Sequence, residues 1–168
     1  MNNDVVKIVL RTLLLIALQV VLFDYVELFG YISVFPYILC ILLFPLQSNR
    51  YFLLIYAFFL GLCIDIFNNS GGVHAAACVT LAYFRESLIK FAYGFSYEYH
   101  LLRLTDKIGK ELITYTAIGV LIHHFVLYIL EVFNFNFLPE ILLRISGSTV
   151  FTIVVILIMI ALAKPVKR

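Results

Sequence analysis

Six apolar stretches separated by short polar segments dominate this sequence, and their lengths limit what the chain can fold into. Hydrophobic residues make up 64% of the 168 residues, and charged residues only 13%. A bilayer core of roughly 30 Å takes about 20 helical residues per crossing, so several crossings leave little chain for a water-soluble domain. The sequence therefore predicts an all-α integral membrane protein, a compact bundle of six transmembrane helices that forms a single domain over residues 1–168.

The predicted spans begin and end at the charged, Pro, Gly and Asn residues between the apolar runs. The second run is short and bracketed by Pro36 and Pro45, so it crosses only with snorkelling or local thinning of the bilayer. The fourth run ends before Arg85, although its helix can continue to Tyr93 if the cationic side chains reach for the interface. The predicted spans are 8–28, 33–46, 51–67, 73–84, 112–133 and 138–163.

Positive charge is distributed unevenly once these spans are threaded through a membrane in order. Of the 12 Lys and Arg residues, only Arg144 falls on one side, and all the others fall on the opposite side. Positively charged segments resist translocation, so the cation-rich side is predicted to be cytoplasmic. This topology places both termini inside.

The segment 85–111 combines several of these cations with Phe and Tyr residues. Aromatic rings and cationic side chains together favour the headgroup layer, so the segment is predicted to lie at the cytoplasmic membrane surface. Topology and anionic lipid already account for its charge, and no nucleic acid is predicted as a partner. Its cations are Arg85, Lys90, Arg103, Lys107 and Lys110.

A few polar residues fall inside the apolar runs. A charge near the centre of a membrane helix costs at least about 2.5 to 3.5 kcal/mol, so it needs a partner or a water-filled site. Burying the charge of Asp65 costs the most free energy among these groups, and Arg144 is its predicted counter-ion. Glu131 is the other possible partner of Arg144. The candidate buried network consists of Asp65, His123, His124, Arg144 and Gln19.

Two interpretations of this network stay open. It either holds helices together through interhelical hydrogen bonds or forms a proton relay or small-ligand site. The Asp and His spacing matches no zinc pattern, and the three cysteines lie one per helix without C-x-x-C spacing. No catalytic residue, metal or cofactor is therefore predicted.

Small residues mark places where helices can approach closely. Ala57 and Gly61 share one face of the third predicted helix, and Gly119 lies in the fifth. Gly71 and Gly72 allow a tight turn before the fourth. These positions are candidates either for packing inside the bundle or for contacts with a partner helix.

An ordered set of motifs resembles the rod shape-determining membrane protein family MreD. The set consists of the run from Phe35 to Tyr37, G-L-x-x-D from Gly61 to Asp65, a Gly at 71 or 72 opening the fourth helix, and the pair His123 and His124. The likeness extends over most of the chain in length, helix count and motif order. It also implies a fold similar to the substrate-binding subunits of energy-coupling-factor transporters.

The resemblance implies a non-enzymatic scaffold in the bacterial cytoplasmic membrane, which binds the single-span protein MreC and helps position lateral peptidoglycan synthesis. The machinery it implies includes a polymerising glycosyltransferase and a class B transpeptidase. The alternatives are the ligand-binding subunit of a vitamin-type transporter and a lipid-handling membrane enzyme.

Overall fold

The computed structural model describes residues 2–94, 104–105 and 108–163, and this part of the chain is all-helical, without a β-strand. Short turns of 3₁₀ helix interrupt the chain at Phe23–Tyr25, Pro36–Ile38 and Phe135–Phe137. The α-helices are α1 (Asn2–Val21), α2 (Leu39–Leu42), α3 (Arg50–Asn68), α4 (Val73–Tyr93), α5 (Lys110–Val132) and α6 (Leu138–Leu162).

Four helices within the described ranges are long and apolar enough to cross a membrane. They are α1 with its following turn (Val5–Tyr25), α3, α5 and α6. These helices confirm the all-helical class and make a multi-pass membrane protein plausible. The remaining long helix, α4, has 21 residues and runs through Arg85 to Tyr93, which is the extension that the sequence left open.

The long helices pack in chain order, so that α4 lies between α3 and α5, and α6 packs on the far side of α5. We call the end of the bundle where α3 begins, at Arg50, the arginine end. We call the opposite end, with the turn at residues 68–72, the turn end. Helix α1 contacts the bundle chiefly through the segment 33–46 and touches α3 only lightly.

The segment 33–46 does not form the predicted spanning helix. It contains only the turn Pro36–Ile38 and the four-residue α2, and these residues are all buried. Seven helical residues rise at most about 14 Å, less than half of a bilayer core of roughly 30 Å. Pro36 has no backbone N–H to donate, and Pro45 follows soon after α2. The prediction of one helix over 33–46 was therefore wrong.

Side chains from two helices satisfy the backbone of this broken segment towards the turn end. Irregular backbone at membrane depth is tolerated only where protein or water supplies its hydrogen bonds. On α1, the buried Gln19 donates from Nε2 to the Val34 carbonyl, 3.2 Å away. On α6, Ser148 Oγ accepts from the Ser33 N–H at 3.1 Å, and Thr152 Oγ1 accepts from the Phe35 N–H at 3.2 Å.

Arg85 and Tyr115 supply hydrogen bonds to the backbone of segment 33–46 towards the arginine end. The Arg85 guanidinium donates to the carbonyls of Leu42 and Phe44, and the Tyr115 hydroxyl donates to the Leu42 carbonyl at 2.9 Å. Arg85 is only 5% exposed. The prediction that Arg85 is a cation of the membrane-facing surface was therefore wrong, because its guanidinium is buried inside the bundle.

Three of the predicted small residues pack inside the bundle. A Cβ added to Gly61 would lie 2.5 Å from the Cα of Ala75, so the backbones of α3 and α4 meet there. A Cβ on Gly119 would lie 2.9 Å from Cδ2 of Leu42, and Ala57 is fully buried. Gly71 and Gly72 have positive φ angles of 69° and 101° and form the turn before α4.

Replacing Arg85 with Met should destabilise the protein by about 1 to 3 kcal/mol, because the Phe44 carbonyl then loses its donor inside the bundle. Arg85→Lys should cost less, since an ammonium still donates, although one Nζ bridges two carbonyls poorly. The measurement is thermal unfolding in detergent. Lys110→Gln, at an exposed cation at the start of α5, is the matched control and should unfold like the wild type. Equal unfolding temperatures for Arg85→Met and the control would contradict this account.

Candidate functional site

Tyr37, which the sequence placed in a motif but not in the predicted buried network, joins two buried histidines. The Tyr37 hydroxyl lies 2.8 Å from His74 Nδ1 and 2.9 Å from His123 Nε2. All three side chains are buried, and they come from the turn at Pro36, from α4 and from α5. The sequence signal for Tyr37 was its position next to Pro36, because proline disfavours a continuous helix. In the structure the ring of Tyr37 lies inside the bundle.

The two hydrogen bonds constrain the protons they share. The Tyr37 hydroxyl has one proton, so it donates to one imidazole and accepts an N–H from the other. His123 Nδ1 is buried and has no hydrogen-bond partner among the described residues. A buried N–H without a partner is rarer than an unused acceptor, so we assign the proton of His123 to Nε2. Tyr37 then donates to His74 Nδ1.

Asp65 closes the turn between α3 and α4. Its Oδ1 accepts from the Ser70 hydroxyl at 2.5 Å and from the His74 N–H at 3.0 Å, and its Oδ2 accepts from the Ala75 N–H at 2.9 Å. These amides belong to the first turn of α4, which has no intrahelical acceptors for them. The helix dipole also favours a negative charge there. The carboxylate is thus stabilised by the chain itself, although it is only 4% exposed.

Arg144 does not contact Asp65. Its Nη1 lies 3.7 Å from Glu131 Oε1, and both side chains are partly exposed. The predicted Asp65–Arg144 pair was wrong because the amides of α4 are the nearer partners of the carboxylate. The alternative partner of Arg144, Glu131, is the one that the structure shows.

The rest of the predicted network divides into separate contacts. His124 Nδ1 lies 3.1 Å from Thr149 Oγ1 on α6, and no described residue hydrogen-bonds to its Nε2. Gln19 donates to Asp24 Oδ1 at 2.7 Å as well as to Val34. Among the five predicted members, only Asp65 and His123 are connected by hydrogen bonds, and the connection passes through His74 and Tyr37.

The ring of Phe35 packs against several of these buried side chains. Its ring centroid lies 5.5 Å from that of His74, 5.4 Å from that of His124 and 6.1 Å from that of Tyr37. Rings at such spacings stabilise one another beyond the area they bury. Phe35 also faces a cavity above it, so it forms part of the boundary between that cavity and Tyr37.

A cavity of about 560 Å³ opens above Phe35 at the turn end. Polar groups converge on it from several elements and include Ser70, His74 and Tyr128. The charged residues that line it are Asp24, Glu27, Glu131 and Arg144. Three carboxylates face one guanidinium, so the lining favours a ligand with positive charge. The sequence did not predict that these residues enclose a cavity.

The described residues contain no group of three or more His, Cys, Asp or Glu placed to hold a metal ion. Among the predicted interfacial cations, Lys90 Nζ pairs with Glu86 Oε1 at 2.6 Å, and Lys110 is exposed at the start of α5. Arg103 and Lys107 lie outside the described residues.

No family model, no curated protein and no solved structure matches the chain. The likeness to the MreD family therefore rests on the motifs quoted above.

Asp65→Asn should destabilise the protein by about 1 to 2 kcal/mol. The amide keeps one acceptor oxygen but presents N–H donors to the Ala75 N–H, which is left without an acceptor. Thermal unfolding in detergent measures the change.

Arg144→Gln is the comparison for Asp65→Asn and should cost less than about 0.5 kcal/mol, because its ion pair is long and partly exposed. A larger loss from Arg144→Gln than from Asp65→Asn would overturn the assignment of these partners.

Proposed function

We propose that the chain is a non-enzymatic membrane scaffold of a bacterial elongation complex, of the MreD type. The observation that supports this proposal is that the motif residues hold the helices of the bundle together. Asp65 caps α4, Gly61 brings α3 against α4, and Tyr37 links α4 to α5. These residues build the bundle itself, as expected when function depends on the shape of a surface that partners recognise.

We propose six membrane passes. Helices α1, α3, α4, α5 and α6 supply five, and the buried segment 33–46 supplies the other as a broken crossing. The hydrogen bonds at its two ends support this assignment. Ser33 and Phe35 are hydrogen-bonded to α6 towards the turn end, and Phe44 is hydrogen-bonded to Arg85 towards the arginine end. The resulting compact bundle is similar in plan to the substrate-binding subunits of energy-coupling-factor transporters.

The arginine end is proposed to face the cytoplasm, with both termini inside. Six of the seven Lys and Arg residues within the described ranges lie in the half of the bundle at that end, and only Arg144 lies at the turn end. Positively charged segments favour the cytoplasmic side. The proposed location is the bacterial cytoplasmic membrane.

The proposed partners are a single-span protein like MreC, the elongation glycosyltransferase and the transpeptidase. Helices in lipid associate through close packing and interhelical hydrogen bonds. Broad apolar faces point outwards on α1 and α6, including Leu10 and Leu13 on α1 and Leu142 and Val150 on α6. Lipid or partner helices cover such faces.

The cavity at the turn end favours a second candidate function, the ligand-binding subunit of a transporter. Such a subunit needs a concave site with a few converging polar groups, and pockets of about 300 to 1,000 Å³ are typical of small-molecule sites. The cavity of about 560 Å³ meets both requirements. A lipid-handling enzyme is less well supported, because Asp65 already accepts three hydrogen bonds from the chain.

Affinity purification of the tagged full-length protein from mild detergent separates these functions. The scaffold proposal expects a single-span membrane protein to copurify, together with the elongation enzymes. A pair of cytosolic ATPases would instead support the transporter subunit. If neither copurifies, and a lipid product depends on His123, the enzyme is favoured.

Depletion of the protein gives an independent test in the cell. The scaffold proposal expects rod-shaped cells to become round as lateral wall synthesis loses its position. Rods that persist after depletion, under conditions that require elongation, would contradict it.

A further inference from the structure

A second pocket, of about 340 Å³, lies at the arginine end between α3, α4 and the chain that precedes α3. Its apolar wall includes Leu53 and Ile89. Its polar lining is Ser48, Arg50, Arg85 and Glu86. The scaffold proposed above does not use this pocket.

Within the part of the chain that the structure describes, the buried charge of Arg85 has no carboxylate partner. Its hydrogen bonds go to the carbonyls of Leu42 and Phe44, and no Asp or Glu within the described ranges lies in ion-pair distance. Carbonyl dipoles offset only part of the cost of removing a guanidinium from water. An anion in the pocket that Arg85 lines would offset the rest.

Arg50 is held where it adds a second guanidinium to the same pocket. Its Cζ lies 4.5 Å from the centroid of the Tyr83 ring, and its Nη2 donates to the Tyr83 carbonyl at 3.4 Å. Glu86 contributes the opposite charge, but its Oε1 pairs with Lys90. The guanidiniums of Arg50 and Arg85 and the ammonium of Lys90 outnumber the single carboxylate of Glu86. The formal charge around the pocket is therefore positive.

The start of α3 strengthens this preference for anions. Arg50 is the first residue of this 19-residue helix, and the Asn49 side chain accepts the Tyr51 N–H at 2.8 Å. The partial positive charge of a helix N-terminus adds to that of the two guanidiniums. Ser48 brings a hydroxyl donor, so the pocket combines the groups that bind phosphate in proteins.

We infer that this pocket binds a phosphate group, carried either by the headgroup of an anionic lipid or by a soluble phosphate. Helix α3 is apolar enough to cross a membrane and begins at Arg50, so the pocket lies at the depth of a headgroup layer. Basic pockets between membrane helices bind lipid headgroups by the same chemistry. Guanidinium forks match phosphate oxygens, with Ser48 as an additional donor.

The test is titration of the full-length protein in detergent, followed by native mass spectrometry. The probes are phosphatidylglycerol and a diacylglycerol with the same acyl chains, which lacks the phosphate. The wild type should bind phosphatidylglycerol and not diacylglycerol. Arg50→Gln should bind phosphatidylglycerol about tenfold more weakly, as expected for the loss of one charge-assisted hydrogen bond.

Two further variants complete the design. Ser48→Ala should weaken binding by a smaller factor and tests the pocket independently if Arg50→Gln does not fold. Lys110→Gln removes an exposed cation that does not line the pocket and should bind like the wild type. Arg85 is left unchanged, because it also holds the segment 33–46.

Inorganic phosphate identifies the source of the phosphate group. Competition at millimolar phosphate indicates a soluble ligand, and retention of phosphatidylglycerol indicates a lipid; both support the inference when binding depends on Arg50. Equal binding of the two lipids would overturn it. Wild-type affinity in both Arg50→Gln and Ser48→Ala would overturn it as well.

Discussion

The structure depends on hydrogen bonds from side chains to the backbone of the broken segment 33–46. Backbone groups buried away from water cost free energy unless they are paired, and seven helical residues pair only part of this segment. Gln19, Ser148 and Thr152 supply partners at one end, and Arg85 and Tyr115 supply them at the other. One buried segment thereby ties together α1, α4, α5 and α6.

Both candidate ligand sites follow from the position of this segment. Phe35 and Tyr37 belong to it, so the cavity at the turn end and the histidine contacts beneath it are built on its first residues. Arg85, which holds its other end, lines the pocket at the arginine end. The groups that a ligand would meet are thus fixed by the same contacts that stabilise the bundle.

The sequence predicts the long helices well because lipid-facing and core-facing helices are both apolar over their whole length. For the same reason it cannot distinguish segment 33–46 from a spanning helix, since burial in protein requires the same composition as burial in lipid. Pro36 was the available signal. The partners of Asp65 and Arg85 were missed. Opposite charge suggested Arg144 for Asp65, and the cluster of cations and aromatic residues suggested the membrane surface for Arg85. Both groups instead bind backbone atoms whose positions only the folded chain defines.

Backbone hydrogen exchange of the full-length protein in lipid nanodiscs, followed by mass spectrometry, tests the buried broken segment most directly. Peptides from α5 serve as the slow reference, and peptides from the largely exposed chain at residues 26–32, beyond the apolar span Val5–Tyr25, serve as the fast one. The account predicts that amides in residues 33–46 exchange nearly as slowly as those of α5, although the segment is mostly not α-helical. Exchange as fast as that of residues 26–32 would contradict it.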